Sequence, residues 1–253
     1  METFVQNLLK ESEKSFSGWD FNYISETGRM DNEPLSWSYT SIILSYLSTS
    51  NALLDMGTGG GEYLSLLSPL PSKTIATEGY KPNVPIAKQR LEPLGIDVFE
   101  VTDDENLPFA DESFDLIINR HESYSPNEVY RILKNNGVFI TQQVGGKDLI
   151  DLNFALGASE DTEFAHWNLS YAKKQLEDAH FTVRKSHEEF PYSRFYDIGA
   201  LVYYLKAIPW QIEDFSVKRY ENSLLKLHEK IKRNGYIQFD SHRFFLSCIK
   251  KQG

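Results

Sequence analysis

The chain has 253 residues and a mass of 29.1 kDa, which suits one large α/β domain with a lid or one domain with a small appendage. Its hydrophobic share of 41% and charged share of 25% are those of an ordinary globular protein and exclude collagen-like, coiled-coil and largely disordered chains. A formal net charge of -10 argues against binding that depends on neutralising many phosphates, so nucleic acid is disfavoured as a partner.

The first residues contain no basic stretch followed by an apolar core, and no run approaches the roughly 20 apolar residues that a membrane-spanning helix needs. Cys248 is the only cysteine, which excludes an intrachain disulfide and a cysteine-rich metal site. The histidines lack the spacing of metal ligands. We therefore expect a cytoplasmic protein that contacts no membrane and holds no metal.

Residues 1–48 are predicted to form an amino-terminal cap or lid. Phe4, Leu8 and Leu9 recur with the spacing of one helical face. The segment 15–34 is rich in aromatic residues, Gly, Asp and Asn, which is typical of a loop or cap. Apolar residues then recur from Trp37 to Leu47 as they do in a helix.

Residues 49–145 alternate between strand-like apolar runs and helical stretches, which predicts βαβ units in a parallel sheet. A turn is expected at 134–137, where Asn and Gly follow a helical stretch. The predicted strands are 52–56, 74–77, 98–101, 114–118 and 137–142, and the predicted helices lie near 62–67, 84–91 and 126–133.

Residues 146–253 are predicted to hold the remainder of the sheet and a helical lid insertion. Two strand-like runs and four helical stretches occur there, one of them a buried helix that a Pro-Trp pair ends. The strands are expected at 181–190 and 243–249, and the helices at 148–157, 170–179, 198–208 and 220–232.

The strongest chemical signal is the segment 53–62, where an apolar strand runs into a glycine cluster and then a helical pattern. Glycines allow positive φ and a close approach of the backbone to a ligand. The dinucleotide fingerprint would need a glycine where this chain has Glu62, and the Gly-Lys-Ser/Thr of a phosphate-binding P-loop does not occur. Acids at Asp55 and Glu62 would repel a phosphate, so the turn favours a cationic or neutral nucleoside.

The pattern Asp55-x-Gly57-x-Gly59-x-Gly61 resembles the first motif of class I S-adenosylmethionine-dependent methyltransferases. In that family the glycines line the methionine and ribose portions of the cofactor. The resemblance therefore implies that Asp55, Gly57, Thr58, Gly59 and Gly61 bind S-adenosylmethionine.

Two later segments are similar to further motifs of the same family. Glu78 ends the second predicted strand, where the family has a carboxylate that accepts both ribose hydroxyls, and Gly79 follows it. The segment 103–109 resembles the third-strand region, in which an Asp receives the adenine amino group. The resemblance implies cofactor contacts for Asp103 and Asp104, of which Asp103 is the preferred adenine ligand.

The segment 111–121 resembles the family's fourth strand, whose carboxyl end opens onto the transferred methyl group, so Asn119 and Arg120 are expected beside the cofactor. The residues after that strand are not the Asn/Asp-Pro-Pro-Tyr/Phe signature of methyltransferases acting on bases and glutamine, which disfavours those targets. His121 is the candidate catalytic base, because it follows this strand at the crevice and histidine titrates near neutral pH. The alternative is that His121 only positions a loop or packs against the cofactor.

Aromatic residues make up 13% of the chain, and most are expected to be core or interface packing. The sharper hypothesis is that some of them form an apolar substrate chamber that excludes water. For that chamber we expect substrate contacts from Trp37, Tyr39, His121 and Tyr196.

The resemblance implies a doubly wound, Rossmann-like sheet of seven strands, the last antiparallel, with amino-terminal and carboxy-terminal helical lids. It also implies a methyltransferase that uses S-adenosylmethionine to methylate an O, N or C atom of a small molecule. Two alternatives stay open: a catalytically silent S-adenosylmethionine-binding module, and an RNA methyltransferase whose affinity would fall steeply with salt.

Overall fold

The computed structural model describes residues 2–17, 19–159 and 164–251. Its contacts divide the chain into two compact units that interleave along the sequence. They do not coincide with the three consecutive segments expected from the sequence. The first unit comprises Met1–Leu35, Gly146–Ala165 and Phe190–His242, and the second comprises Ser36–Gly145, His166–Glu189 and Arg243–Gly253.

The secondary structure alternates between helices and strands through most of the described chain. The strands are β1 (Met30–Asn32), β2 (Ala52–Met56), β3 (Lys73–Glu78), β4 (Asp97–Glu100), β5 (Phe114–Arg120), β6 (Leu133–Val144), β7 (Phe181–Glu189), β8 (Tyr192–Phe195), β9 (Ile237–Asp240) and β10 (Arg243–Lys250). The α-helices are α1 (Glu2–Ser12), α2 (Asn22–Ser25), α3 (Tyr39–Leu47), α4 (Glu62–Leu66), α5 (Val84–Leu91), α6 (Pro126–Ile132), α7 (Ile150–Leu156), α8 (Leu169–Asp178), α9 (Ile198–Ala207) and α10 (Glu221–Asn234).

The second unit is built on a seven-stranded sheet in the order β4-β3-β2-β5-β6-β10-β7. β10 runs antiparallel to both of its neighbours, β6 and β7, while the pairs on the other side of the sheet are parallel. This confirms the predicted doubly wound sheet of seven strands, in which the last strand of the chain is the antiparallel one.

The central strands are buried on both faces, which explains why their sequences are almost continuously apolar. Every residue of β2 is buried, and Leu53 and Leu54 are fully enclosed. In β5 the run Leu116 to Ile118 is likewise enclosed. The buried polar residues of these two strands lie towards their carboxyl ends, at Asp55 and Asn119.

The order of the strands places a crevice between β2 and β5. From β2 the polypeptide forms β3 and then β4 on one side of β2, and it returns to form β5 on the other side of β2. Open α/β sheets bind ligands outside the carboxyl ends of their strands at such a switch point. The residues that follow β2 and β5, namely 57–61 and 121–122, therefore border the expected binding crevice.

The turn that was predicted at 134–137 lies within strand β6. β6 begins at Leu133, not at Gly137, and its pairing with β5 shifts so that the next partner after Leu133 is Val138. The intervening residues form a bulge in which Asn136 has φ of 65°. The Asn and Gly that suggested a turn are thus the residues that allow this bulge.

The first unit contains a second sheet, of three antiparallel strands in the order β1-β8-β9. Its core is formed by apolar residues of helices α1, α7, α9 and α10 and of these strands. Residues 15–34, which were predicted to form a loop or cap, include the short elements α2 and β1. Strands of three or four residues are too short to show alternation, and Met30 pairs with the distant Phe195.

Arg29 ties two parts of the first unit together. Its guanidinium donates two hydrogen bonds to Asp197, at 2.7 and 2.8 Å, and another to Glu11 of α1 at 3.2 Å. Asp197 is also the N-cap of α9, where it accepts from Ala200 N.

None of the described helices combines the length and the apolar character that a membrane-spanning helix needs.

Candidate active site at the carboxyl ends of the central strands

The glycine turn joins β2 to α4 in the conformation that the sequence predicts. Gly57, Gly59 and Gly61 have φ of 69°, 64° and 79°, in the left-handed region that favours glycine. At Gly61, which caps α4, an added Cβ would also lie 2.7 Å from Leu91 Cγ. A side chain at Gly61 is therefore excluded by both conformation and space.

Glu78 ends β3 and reaches across to the glycine turn. Its Oε2 accepts a hydrogen bond from Gly59 N at 2.6 Å, and its Oε1 accepts from Tyr80 N at 2.8 Å. Burial raises the pKa of this carboxyl, and the backbone donors partly oppose that rise. The residue is 2% exposed and lies beside the turn, so the sequence-predicted pair of turn and strand-end acid is brought together.

Asp55 is a buried acid near the end of β2. Burial raises its pKa to about 7, the neighbouring charge of Glu78 adds to the rise, and Thr58 and Arg120 oppose it. The Thr58 hydroxyl lies beside this carboxyl without reaching the geometry of a hydrogen bond. Among the described residues, Thr58 Oγ1 is one of the buried side-chain oxygens with no hydrogen-bond partner. Such an atom inside a glycine turn is suited to bind a ligand.

Glu62 does not contribute the free negative charge that the sequence suggested. Arg90 forms an ion pair with Glu62 and also donates to the carbonyl oxygen of Gly60. The charge of Glu62 is therefore paired within the fold, although it still raises the pKa of Glu78.

Glu122 was missed by the sequence analysis, and it lies directly against the glycine turn. A Cβ added at Gly57 would overlap the Glu122 side chain and stand 2.7 Å from its Oε2. Burial raises the pKa of Glu122, and Glu78 and Asp104 raise it further. The remaining space is a cavity of about 20 Å³, lined by Met56, Gly57, Thr77, Gly79, Val101, Asp104 and Glu122.

The two aspartates after β4 have different surroundings. Asp104 lines the cavity and accepts a hydrogen bond from Ser123 Oγ at 2.6 Å. Asp103 is exposed and accepts from Glu105 N and Asn106 Nδ2, and these bonds lower its pKa. Asp104, not the preferred Asp103, is thus the acid that faces the crevice.

Gly79 allows two strands to approach closely beyond Glu78. A Cβ added at Gly79 would lie 2.7 Å from the carbonyl oxygen of Val101, which follows β4. The backbone itself therefore forms this wall of the cavity.

The polar atoms of Asn119 and Tyr39 form hydrogen bonds within the protein and do not point into the crevice. The Tyr39 hydroxyl donates to the carbonyl oxygen of Asn119 at 2.9 Å. The Asn119 side chain accepts from Thr141 Oγ1 and Gln143 Nε2 and donates to the carbonyl oxygen of Ser123. In this structure both residues are buried parts of the framework that holds the end of β5.

Arg120 was expected to contact the cofactor and Tyr196 the substrate, but both make other contacts in this structure. Arg120 is exposed and lies over the Tyr63 ring, 5.2 Å from its centroid. Tyr196 belongs to the first unit, where its hydroxyl donates to Asp31 Oδ2 at 3.2 Å.

His121 follows β5 with φ of 63°, a left-handed conformation that costs about 1 kcal/mol or more for a residue other than glycine. Its backbone N donates to Gln142 O at 2.8 Å, and its Nε2 lies 3.3 Å from Gln142 Nε2. Gln142 Oε1 accepts from Trp37 Nε1 at 2.9 Å. Trp37 is 9% exposed and stacks on His187. No motif in the sequence pointed to the role of Gln142.

The surroundings of His121 keep its ring neutral. Desolvation by the surrounding protein lowers its pKa well below the ordinary value, and the positive charges of Arg243 and Arg120 lower it further. The residue as a whole is exposed to solvent, so this pKa shift supports a neutral ring only together with the contact between Nε2 and Gln142. A histidine with such a pKa does not titrate near neutral pH, which was the reason for considering it as a base.

A larger open depression of about 530 Å³ lies elsewhere, at the amino end of β5. It is lined by Asp111, Glu112, Asn127, Tyr130, Arg131 and Lys250. It contains none of the glycine turn and is separate from the crevice. Within the described ranges, no cluster of His, Cys, Asp and Glu residues is arranged to hold a metal ion.

Comparison with known proteins agrees with this geometry. Residues 54–141 match the family model Methyltransf_11, described as a methyltransferase domain. The chain is 31% identical over 97 residues to the uncharacterized methyltransferase YcgJ of Bacillus subtilis, covering 35% of this chain and 38% of YcgJ. It is 31% identical over 183 residues to the biotin biosynthesis bifunctional protein BioHC of Teredinibacter turnerae, covering 64% of this chain and 32% of that protein.

These alignments thus span only about a third of each curated relative, between 32% and 38% of its length. Two solved structures share the fold over most of this chain. A putative methyltransferase from Bacillus halodurans has a TM-score of 0.60 at 17% identity, covering 85% of this chain and 100% of that one. The YcgJ structure has a TM-score of 0.58 at 18% identity, covering 85% and 98%. Residues 54–141 are therefore similar to a methyltransferase domain, and the seven-stranded sheet has the fold of these solved methyltransferase structures.

Proposed function

We propose that this chain is an S-adenosylmethionine-dependent methyltransferase that acts on an O, N or C atom of a small molecule. The observation that supports it most is the left-handed glycine turn held to a strand-end carboxylate by the bond from Gly59 N to Glu78. A net charge of -10 favours a small-molecule acceptor over RNA.

The residues of the crevice match the chemistry of this cofactor. The turn from Gly57 to Gly61, with the unpartnered Thr58 hydroxyl, would lie along its methionine and ribose portions. Glu78 would exchange its bond to Gly59 for the ribose hydroxyls, and Asp104 would face the adenine. Asp55 adds negative charge, which favours a ligand that carries a sulfonium and an ammonium group.

Glu122 has to leave Gly57 before a nucleoside can bind. The cavity of about 20 Å³ is far below the roughly 300 Å³ or more of a typical small-molecule site. A side chain can rotate within nanoseconds to microseconds, so this rearrangement does not require the fold to open. We propose that Glu122 swings aside on binding.

When it is bound, the cofactor supplies a methyl group that is already activated by its sulfonium. The task of the chain is then to align the acceptor with that methyl group and to exclude water. The end of β5, fixed by Tyr39 and Asn119, provides a rigid edge for that alignment. A base is not required when the acceptor atom already has a free lone pair.

Calorimetry with S-adenosylmethionine, S-adenosylhomocysteine and NAD tests the cofactor. We expect the first two to bind and Glu78→Gln to weaken their binding about tenfold or more, because a charge-assisted hydrogen bond contributes about 1.5–3 kcal/mol. Glu100→Gln is the matched control, because Glu100 pairs with Glu78 in register but is exposed, and it should change affinity less than about twofold. Preferential binding of NAD would overturn the proposal.

The silent-module alternative predicts the same binding and differs in turnover. With a pool of metabolites, only an enzyme converts S-adenosylmethionine to S-adenosylhomocysteine in amounts that exceed the protein. Binding without any such conversion would favour the module.

A further inference from the structure

Three side chains form a hydrogen-bonded chain at the carboxyl ends of β5 and β6. Trp37 Nε1 donates to Gln142 Oε1 at 2.9 Å, and Gln142 Nε2 lies 3.3 Å from His121 Nε2. Trp37 and Gln142 are buried, while His121 reaches solvent. The hydrogen-bonded side chains therefore run from the interior of the second unit to an exposed residue directly after β5.

The chemistry of these groups fixes the direction of both hydrogen bonds. An indole nitrogen can only donate, so the Gln142 oxygen faces Trp37 and the Gln142 NH2 faces His121. An amide NH2 can also only donate, so His121 Nε2 has to offer a lone pair. A neutral imidazole with a lone pair on Nε2 carries its proton on Nδ1.

We propose that Trp37 and Gln142 hold His121 as a neutral imidazole protonated on Nδ1, which makes His121 a hydrogen-bond donor to the methyl acceptor and not a general base. The tautomer follows from the contacts alone, whereas the contact with an acceptor rests on the proposed function. In the part of the chain that the structure describes, His121 Nδ1 makes no hydrogen bond, so its N–H is available to a ligand.

The charges around the ring agree with this state. A protonated ring would place an N–H against the NH2 of Gln142 and lose that hydrogen bond. Desolvation is the largest cause that lowers the pKa of the ring. The positive charges of Arg243, at the start of β10, and Arg120, at the end of β5, lower this pKa further. The left-handed backbone of His121 holds the ring in this position, since its N is bonded to Gln142 O at 2.8 Å.

This arrangement narrows the class of acceptor. The lone pair of the acceptor atom forms the new bond to the methyl carbon, and the electron pair of the broken carbon–sulfur bond stays on sulfur. His121 cannot take a proton from the acceptor, because Nε2 is engaged by Gln142 and Nδ1 has no lone pair. With His121 excluded as the base, the acceptors that need no base are an ionised oxygen, a stabilised carbanion and an unprotonated amine, and a methylated amine releases its proton to water.

Nitrogen-15 NMR of the protein without ligand reports which ring nitrogen carries the proton. For the wild type we expect the Nδ1-H form of His121 from pH 6 to 8, with no titration near the ordinary pKa of about 6.5. Gln142→Glu supplies a carboxylate that accepts from both Trp37 and His121, so it should move the proton to Nε2 and raise the pKa by about one unit or more.

Trp37→Phe provides a second variant, which keeps an aromatic ring but removes the indole donor. The Gln142 amide is then free to flip, and we expect a mixture of both tautomers of His121.

His187 is the internal control for the Gln142→Glu variant. It stacks on Trp37 at 5.9 Å and should give the same signals in that variant as in the wild type.

An Nε2-H tautomer in the wild type, or unchanged His121 signals in both variants, would overturn the proposal. These readouts need no cofactor. A correct tautomer in a protein that binds no S-adenosylmethionine would refute the proposed function and leave the role of Trp37 and Gln142 in place.

Discussion

Replacing Asp55 with Asn should stabilise the protein without ligand at alkaline pH. Asp55 is 4% exposed, and its folded-state pKa is about 7, against 3.8 for an ordinary Asp. A difference of 7 minus 3.8 is 3.2 pKa units, and at about 1.36 kcal/mol per unit this gives an upper limit of about 4 kcal/mol. The energy is the cost of holding this carboxyl charged inside the fold.

The sign of the pH dependence follows from the raised pKa. Between about pH 4 and pH 7 the unfolded chain has lost the Asp55 proton while the folded chain still holds it. The stability of the wild type relative to Asp55→Asn therefore falls as pH rises through this window and is constant above it. At pH 8 the variant should melt higher by several degrees, since 1 kcal/mol corresponds to about 2–4 °C for a chain of this size.

Thermal unfolding of both proteins from pH 4 to pH 9, followed by circular dichroism, measures this difference. The matched control is Asp115→Asn on β5. Burial disfavours the charged form of Asp115, but Lys134 and the backbone N atoms of Asn51 and Ala52 outweigh it and lower its pKa. That control should therefore lose stability at pH 8. A difference between Asp55→Asn and wild type that is independent of pH would refute the reasoning.

The other predictions concern the glycine turn and Glu122. Glu122→Ala should tighten binding of S-adenosylhomocysteine about threefold or more by calorimetry, since no side chain then has to leave Gly57; weaker binding would contradict this. Gly61→Ala should destabilise the fold by about 2 kcal/mol or more in denaturant unfolding, because strain adds to the overlap with Leu91. Gly235→Ala has the same left-handed φ but open space around it, so it should cost only about 1 kcal/mol.

The large sheet could be predicted because its strands carry the signal in their own sequences. The inner residues of β2 and β5 are apolar, as those of strands buried on both faces must be, and the glycines from Gly57 onward mark the turn between β2 and α4. The small sheet could not be predicted in this way. Met30 finds its partner Phe195 only when distant parts of the chain meet, and each strand is too short to show a period.

The site was only partly predictable for a related reason. A sequence shows that Tyr39 and Asn119 are polar groups near a strand end, but not that they bond within the framework. Gln142 was missed because it faces His121 only through the parallel register that pairs Arg120 with Gln142. Roles that depend on strand pairing become visible only in the structure.

The acidic side chains at the two ends of the central sheet have pKa shifts of opposite sign. At the amino end of β5, Asp115 is paired with Lys134, and nearby Glu128 with Arg131, and both have lowered pKa values.

At the carboxyl ends, Asp55, Glu78 and Glu122 all have raised pKa values, and in the described ranges none of the three forms an ion pair. Asp55 and Glu78 are buried without an ion-pair partner, which costs stability, and such groups are concentrated at functional sites. A cation bound beside them would remove that cost, so these acids are better explained by a positively charged ligand than by packing.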